Sequence, residues 1–133
     1  MGTWGTGPFD NDLAWEMVAS LEDEGLDVVR AALTFPDVPH ELDAICAAEV
    51  VAAAELVAAF LGRQADDLPE DAVVWVRGNQ PEASEVAALR AASLPLIDIV
   101  LAENCELLQL WRENEAEFPK WRGRVDSLRS RLQ

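Results

Sequence analysis

The chain has 133 residues, of which half are apolar, and a formal net charge of −15. A chain of this length and composition is typical of one folded domain with a buried core, which excludes a largely disordered protein. Residues 1–111 hold 21 acidic residues against four arginines, and such a surface repels nucleic acid. We therefore expect no nucleic-acid partner, whereas a basic protein would be attracted.

The first twelve residues, MGTWGTGPFDND, combine glycines and aromatic residues with an Asp-Asn-Asp cluster. We predict that residues 1–12 form an arm whose aromatic residues pack on the core. The cluster then begins the first helix, because Asp and Asn side chains accept the free N–H groups of a first turn. The alternative is a ligand loop, in which the glycines let a ligand approach the backbone and Asp10 and Asp12 bind a cation. The candidate residues of this motif are Trp4, Gly5, Gly7, Phe9, Asp10, Asn11 and Asp12.

Helical periodicity dominates the next part of the chain. A first helix is expected to begin within residues 10–12 and to end at Gly25, and a second helix covers residues 26–33. The third, over about residues 40–62, is apolar on nearly every face, which indicates a central helix contacted by several neighbours.

Proline, glycine and asparagine mark the later helices. Residues 69–78 contain the strand-like text AVVWV but follow an acidic first turn, so we predict a short helix. A further helix covers residues 81–101, with a kink or break at Pro95. Asn104 is expected to cap the next helix, and Pro119 begins an amphipathic final helix that bears arginines. The sequence therefore predicts an all-α single domain over 1–133, a compact bundle of about six helices around 40–62.

Glu49 is the acid that we single out in the central helix. The pattern puts it between Ile45 and Leu56 on the predicted buried stripe. A buried carboxylate costs several kcal/mol unless it is paired or hydrogen-bonded, so we expect Glu49 to hold the N-terminal arm on the core. The alternatives are a general base or metal ligand, or a solvated residue.

Asp98 is the other acid in an apolar segment, and we expect it to face solvent or to be bonded locally. A small metal-binding or hydrolytic enzyme would need Glu49 to meet Asp98, or Asp10 or Asp12, in one cleft. The single histidine, His40, follows a proline at a helix start and is expected to be exposed or to cap the helix. We predict no cofactor and no metal.

The segment WGTGPFDND at residues 4–12 resembles the N-terminal signature of the bacterial family called domain of unknown function 4259. Two weaker likenesses follow, AAEVVAAAELVAAFLG at residues 47–62 and ELLQLW at residues 106–111. The resemblance implies a small cytoplasmic all-helical domain, and it implies no activity.

The function that the sequence favours is that of a non-enzymatic protein-interaction module. In one version the acidic chain neutralises a basic protein, as a bacterial toxin-neutralising partner would do. In the other version the chain associates with itself through the final helix that bears arginines. Independently of either version, Trp111 is expected to anchor a core or a groove rather than to form a stacking platform. Abundant alanine and arginine suggest a bacterial source.

The chain also gives expectations about its compartment. Glu49, Glu55 and Asp98 interrupt the longest apolar runs, and the start lacks the basic and apolar regions of a secretory signal. We therefore expect a cytoplasmic protein that does not enter a membrane. Cys46 and Cys105 are accordingly expected to be reduced.

Overall fold

The part of the chain that the structure describes folds into seven α-helices and contains no strand. The computed structural model describes residues 5–35, 37 and 39–133. The helices are α1 (Asp12–Glu24), α2 (Asp27–Leu33), α3 (Ala44–Phe60), α4 (Glu70–Gly78), α5 (Ala83–Val100), α6 (Glu106–Arg112) and α7 (Phe118–Leu132). The predicted all-α fold is confirmed, with seven helices rather than about six. None of the described helices is both long and apolar enough to cross a membrane.

Helix α3 is the centre of the bundle. Every residue from Val50 to Phe60 is buried, and α3 packs against each of the other six helices. The helix begins four residues later than predicted, because the Asp43 side chain accepts the N–H of Cys46 over 2.7 Å and caps the first turn. Helix α6 is tied to the same point, since a Glu106 oxygen accepts the N–H of Ala44 over 2.9 Å.

Local signals determine most of the other helix ends. Gly25 ends α1 with a φ of 61°, and its N–H donates to the Leu21 carbonyl. The strand-like text in α4 is helical, as predicted. Helix α5 runs through Pro95 without the predicted break. The carbonyl that loses its partner there belongs to Ala91, which is exposed, so water can bond it.

Helix α7 closes the bundle against α3 and α5. Its apolar side buries Trp121, Val125, Leu128 and Leu132. Its arginines bind acids from other parts of the chain, as in the ion pair of Arg129 with Asp98 over 2.6 Å. The arginine side of the final helix is therefore largely occupied by intramolecular ion pairs.

Candidate functional site

The N-terminal loop, residues 5–11, closes around the carboxylate of Asp10. The N–H of Gly7 donates to Asp10 Oδ2 over 2.9 Å, and the N–H of Asp10 donates to the Gly7 carbonyl over 3.1 Å. Asn11 caps α1, because its Oδ1 accepts a first-turn N–H over 2.9 Å, while its Nδ2 donates to the Pro8 carbonyl. The side chains of Asp10 and Asn11 are therefore bonded to backbone of the loop and of α1, while Asp12 is exposed in the first turn.

The two glycines of this loop leave space for Asp10. A Cβ on Gly5 would lie 2.5 Å from Asp10 Oδ2, and a Cβ on Gly7 would lie 2.7 Å from the same atom. Gly7 does not adopt a positive φ, so at this position glycine is needed for room rather than for an unusual backbone conformation. The described contacts thus support the interpretation of the motif as an arm that packs on the core. None of them supports the alternative of a ligand loop.

Asp10 lies beside an ion pair that joins the loop between α3 and α4 to α7. Arg124 Nη2 donates to Asp67 Oδ1 over 2.6 Å, and Asp67 Oδ2 would be 3.2 Å from a Cβ on Gly7. The hydrogen bond to Asp67 is the largest cause that raises the pKa of Arg124, and the charges of Asp67, Glu55 and Asp10 add to it. The N-terminal loop therefore lies close to the Asp67 end of this ion pair.

Phe9 is the apolar anchor of the loop, since it is 6% exposed and belongs to the main core cluster. The other aromatic residue of the motif, Trp4, lies outside the described residues. The inward packing expected of the arm is therefore observed for Phe9.

An apolar groove of about 380 Å³ lies between the N-terminal loop and helices α1, α3, α6 and α7. Its lining includes Leu13, Ile45, Val51, Leu110, Trp111 and Trp121. Two of these side chains are large and exposed, Ile45 at 59% and Leu110 at 49%. The groove therefore presents apolar surface to solvent at its edges.

The inner wall of the apolar groove is aromatic. Trp111 of α6 stacks on Trp121 of α7, with 6.2 Å between ring centroids and 13° between ring planes. Phe118 also stacks on Trp121, with 6.2 Å between ring centroids, and Arg112 covers the Phe118 ring at 5.4 Å. These contacts stiffen the wall, and they agree with the expectation that Trp111 anchors a core or a groove.

The predicted burial of Glu49 is wrong. Glu49 is half-buried and lines a second groove of about 310 Å³ between α1, α2 and α3, the acidic groove, together with Leu13, Glu16, Met17, Glu24 and Asp27. Within the described residues, no hydrogen bond joins Glu49 to the N-terminal loop. The face assignment fails because α3 is apolar on nearly every side, so its periodicity does not show which side is buried; Ile45 of the predicted buried stripe is exposed as well.

Glu55 is the fully buried acid of α3, at 0% exposure. Arg131 of α7 donates to both of its carboxylate oxygens, over 2.7 and 2.9 Å, in a bidentate pair. The same guanidinium donates to the Arg63 carbonyl over 3.2 Å, and Arg63 donates to the Arg131 carbonyl over 3.1 Å. The sequence signal was an acid flanked on both sides by apolar residues, and it applies to Glu49 as well as to Glu55.

Asp98 is exposed, as one of its two expected placements had it, and its ion pair is with a different helix rather than with a local group. Its carboxylate accepts from Arg129 Nε over 2.6 Å, and this hydrogen bond is the largest cause that raises the pKa of Arg129. Asp98 therefore faces α7, whereas Glu49 faces α1 and α2. Across residues 5–35, 37 and 39–133, no group of three or more His, Cys, Asp or Glu side chains is arranged to hold a metal ion.

Both cysteines are free. Cys105 is buried, and Cys46 is half-buried at the first turn of α3. Burial is the largest cause that raises the pKa of the Cys46 thiol, followed by the nearby carboxylate of Asp43. The thiol form of Cys46 is therefore favoured at neutral pH.

A protein-family model that covers most of the chain shows the family of this protein. The family model "Domain of unknown function (DUF4259)" matches residues 2–124. The chain belongs to this family. The match includes the opening motif, the apolar groove and the acidic groove, but it ends before Arg131, so the partner of Glu55 lies beyond it. Neither a curated protein nor a solved structure matches the chain.

Proposed function

We propose that this member of the DUF4259 family is a non-enzymatic interaction module of the bacterial cytoplasm, which binds another protein through the apolar groove. The observation that carries the proposal is the pair of exposed side chains, Ile45 and Leu110, at the edges of a groove backed by Trp111. Single exposed apolar residues are ordinary, whereas apolar surface gathered in one groove is typical of an interaction site. The stacked tryptophans give the partner a stiff surface to bind.

The partner is expected to be a basic protein. With a net charge of −15, this chain attracts basic surfaces and accelerates their encounter, especially at low salt. A basic protein that must be neutralised, such as a bacterial toxin, fits this description. The apolar groove would then hold the partner that the charge has attracted.

The enzyme alternative and the self-association version have less support than binding of another protein. An enzyme built on Glu49 with Asp98, or on Asp10 or Asp12, needs carboxylates that converge, and in the described residues these groups have separate neighbours. Self-association through the final helix needs available arginines, and Arg129 and Arg131 already bind Asp98 and Glu55.

Site-specific photocrosslinking in the native host tests the proposal. A benzophenone amino acid is placed at Ile45, in the groove, and in a second variant at Val74, on α4. Both native side chains are 59% exposed, so the two probes have the same access to solvent. Each probe is also combined with Leu110→Ser, which removes one wall of the apolar groove.

The proposal predicts one discrete heteromeric adduct from position 45 that weakens with Leu110→Ser, and no such adduct from position 74. Identical adducts from both positions would indicate unspecific contact and overturn it. An adduct between two copies of this chain, or a crosslink within one chain, would also overturn it, because the groove would then have a different occupant.

A further inference from the structure

We infer that the partner presents a basic amphipathic helix, with its apolar side in the apolar groove and its lysines or arginines over the acidic groove. This inference rests on the proposed function and specifies the chemistry of the partner. It follows from the way in which the two grooves adjoin.

The apolar groove and the acidic groove share Leu13 as a lining residue. Leu13 is the second residue of α1, and the acidic groove continues from it along this helix through Glu16 and Met17. A single ligand segment that crosses Leu13 therefore contacts both grooves.

The negative charge of the acidic groove favours a positively charged ligand segment. Glu16, Glu24, Asp27 and Glu49 all line the groove, and its described lining includes no basic side chain. Asp27 is bonded to Arg30 over 2.6 Å, while the other three acids have no ion pair among the residues that the structure describes. A cationic edge of the ligand would therefore find several carboxylates that are available for pairing.

The remaining lining of the acidic groove suits long basic side chains. Met17, Val28, Ala31 and Ala32 contribute apolar surface beside the carboxylates. Lysine and arginine place their methylene groups on such surface while the charged end reaches a carboxylate. This lining distinguishes the groove from a solvated acidic helix face.

A helix is the ligand conformation that fits these features. Added strands need a free sheet edge, and residues 5–35, 37 and 39–133 contain no strand. An amphipathic helix instead presents an apolar stripe and a charged edge side by side, through residues spaced three and four apart. Such a helix bound in a groove is a common mode of peptide recognition.

The inference is tested with three synthetic 16-residue helical peptides that share one leucine stripe. Their flanking positions carry arginine, glutamine or glutamate, and binding to the purified chain is measured by calorimetry at low and at physiological salt. The arginine peptide should bind about tenfold or more tightly than the glutamine peptide at low salt, and the glutamate peptide should bind weakest. The difference should shrink as salt is added.

Variants of the chain show which groove is responsible. Glu16→Gln with Glu49→Gln should weaken the arginine peptide about threefold to tenfold and leave the glutamine peptide unchanged. Glu22→Gln with Glu115→Gln alters the net charge equally at positions that line neither groove, and should weaken binding much less. Leu110→Ser should weaken both peptides.

Equal binding of the arginine and glutamine peptides, or equal effects of the two double variants, would overturn the basic-helix inference and leave the interaction module intact. Absence of any binding of the arginine peptide would overturn the inference as well. The crosslink from position 45 decides independently whether the proposed function stands.

Discussion

Replacing Arg131 with methionine should destabilise the bundle far more than the same replacement at Arg129, two residues earlier on α7. Arg131→Met leaves the carboxylate of Glu55 buried at 0% exposure without its bidentate partner. Removal of one partner from a buried ion pair costs about 3–5 kcal/mol. The Arg131 side chain is 20% exposed, so water can reach the vacated position, and we expect a loss of about 2–4 kcal/mol.

The control is an ion pair on the same helix in a more exposed setting. Arg129 and its partner Asp98 have side chains that are 37% and 54% exposed. Pairs of this kind contribute about 0.2–1 kcal/mol, so Arg129→Met should cost no more than that. Against a total stability of about 5–15 kcal/mol, typical of a domain, the difference between the two variants is large enough to measure.

Urea unfolding followed by tryptophan fluorescence gives the free energy of unfolding of each variant. Combining Glu55→Met with Arg131→Met should recover most of the loss, because apolar side chains of similar size can replace a buried ion pair. Equal losses for Arg131→Met and Arg129→Met, or no recovery in the double variant, would refute the assignment of Glu55 as the buried charge of the core.

Three further outcomes follow from particular contacts. Gly7→Ala should cost about 1–3 kcal/mol in urea unfolding because its Cβ would meet the carboxylate of Asp10, and the cost should fall when Asp10→Ala is present. In the native protein, Asp43→Asn should speed alkylation of Cys46 at pH 8, since the carboxylate raises the pKa of that thiol and asparagine preserves the cap. Deletion of residues 125–133 should unfold most of the chain in circular dichroism, because three buried aliphatic side chains contribute about 1.5–3 kcal/mol each.

Matched controls make these outcomes specific. Gly123→Ala, inside α7, has no atom within 4 Å of the added Cβ and should stabilise the protein by about 0.5–1 kcal/mol. Equal losses for Gly7→Ala and Gly123→Ala would contradict the account of the loop. Alkylation of the buried Cys105 at the rate of Cys46, or a folded chain after the deletion, would contradict the corresponding predictions.

Several helix boundaries were predictable because the determining groups are close in sequence, although the nearby cap of α3 at Asp43 was missed. Gly25 ends α1 through its own backbone conformation, and the acidic start of α4 outweighs the strand-like text that follows it. The expectation that Asn104 caps α6 was wrong, because the group that its side chain contacts is distant in sequence. Its side chain donates to the His40 carbonyl over 3.4 Å, and α6 begins with Cys105 as its cap residue, so a distant contact replaces the local one.

The candidate site was predictable only in part, since its charges pair across long stretches of chain. The opening motif was predicted to be structural, yet its loop lies beside the Asp67–Arg124 ion pair, which no local pattern connects to it. The choice of Glu49 over Glu55 failed because both lie on an apolar helix whose buried side depends on six neighbours. The two grooves could not be predicted, since each is formed by residues of several helices.

The most direct test of the central claim is solvent exposure of the apolar groove, measured by the relaxation that a soluble gadolinium chelate induces in methyl groups. The account predicts that the methyl groups of Ile45 and Leu110 relax nearly as strongly as those of exposed Val74, and far more strongly than those of buried Leu56. Weak relaxation at Ile45 and Leu110, comparable with Leu56, would mean that the groove is already filled and would contradict a docking surface for another protein.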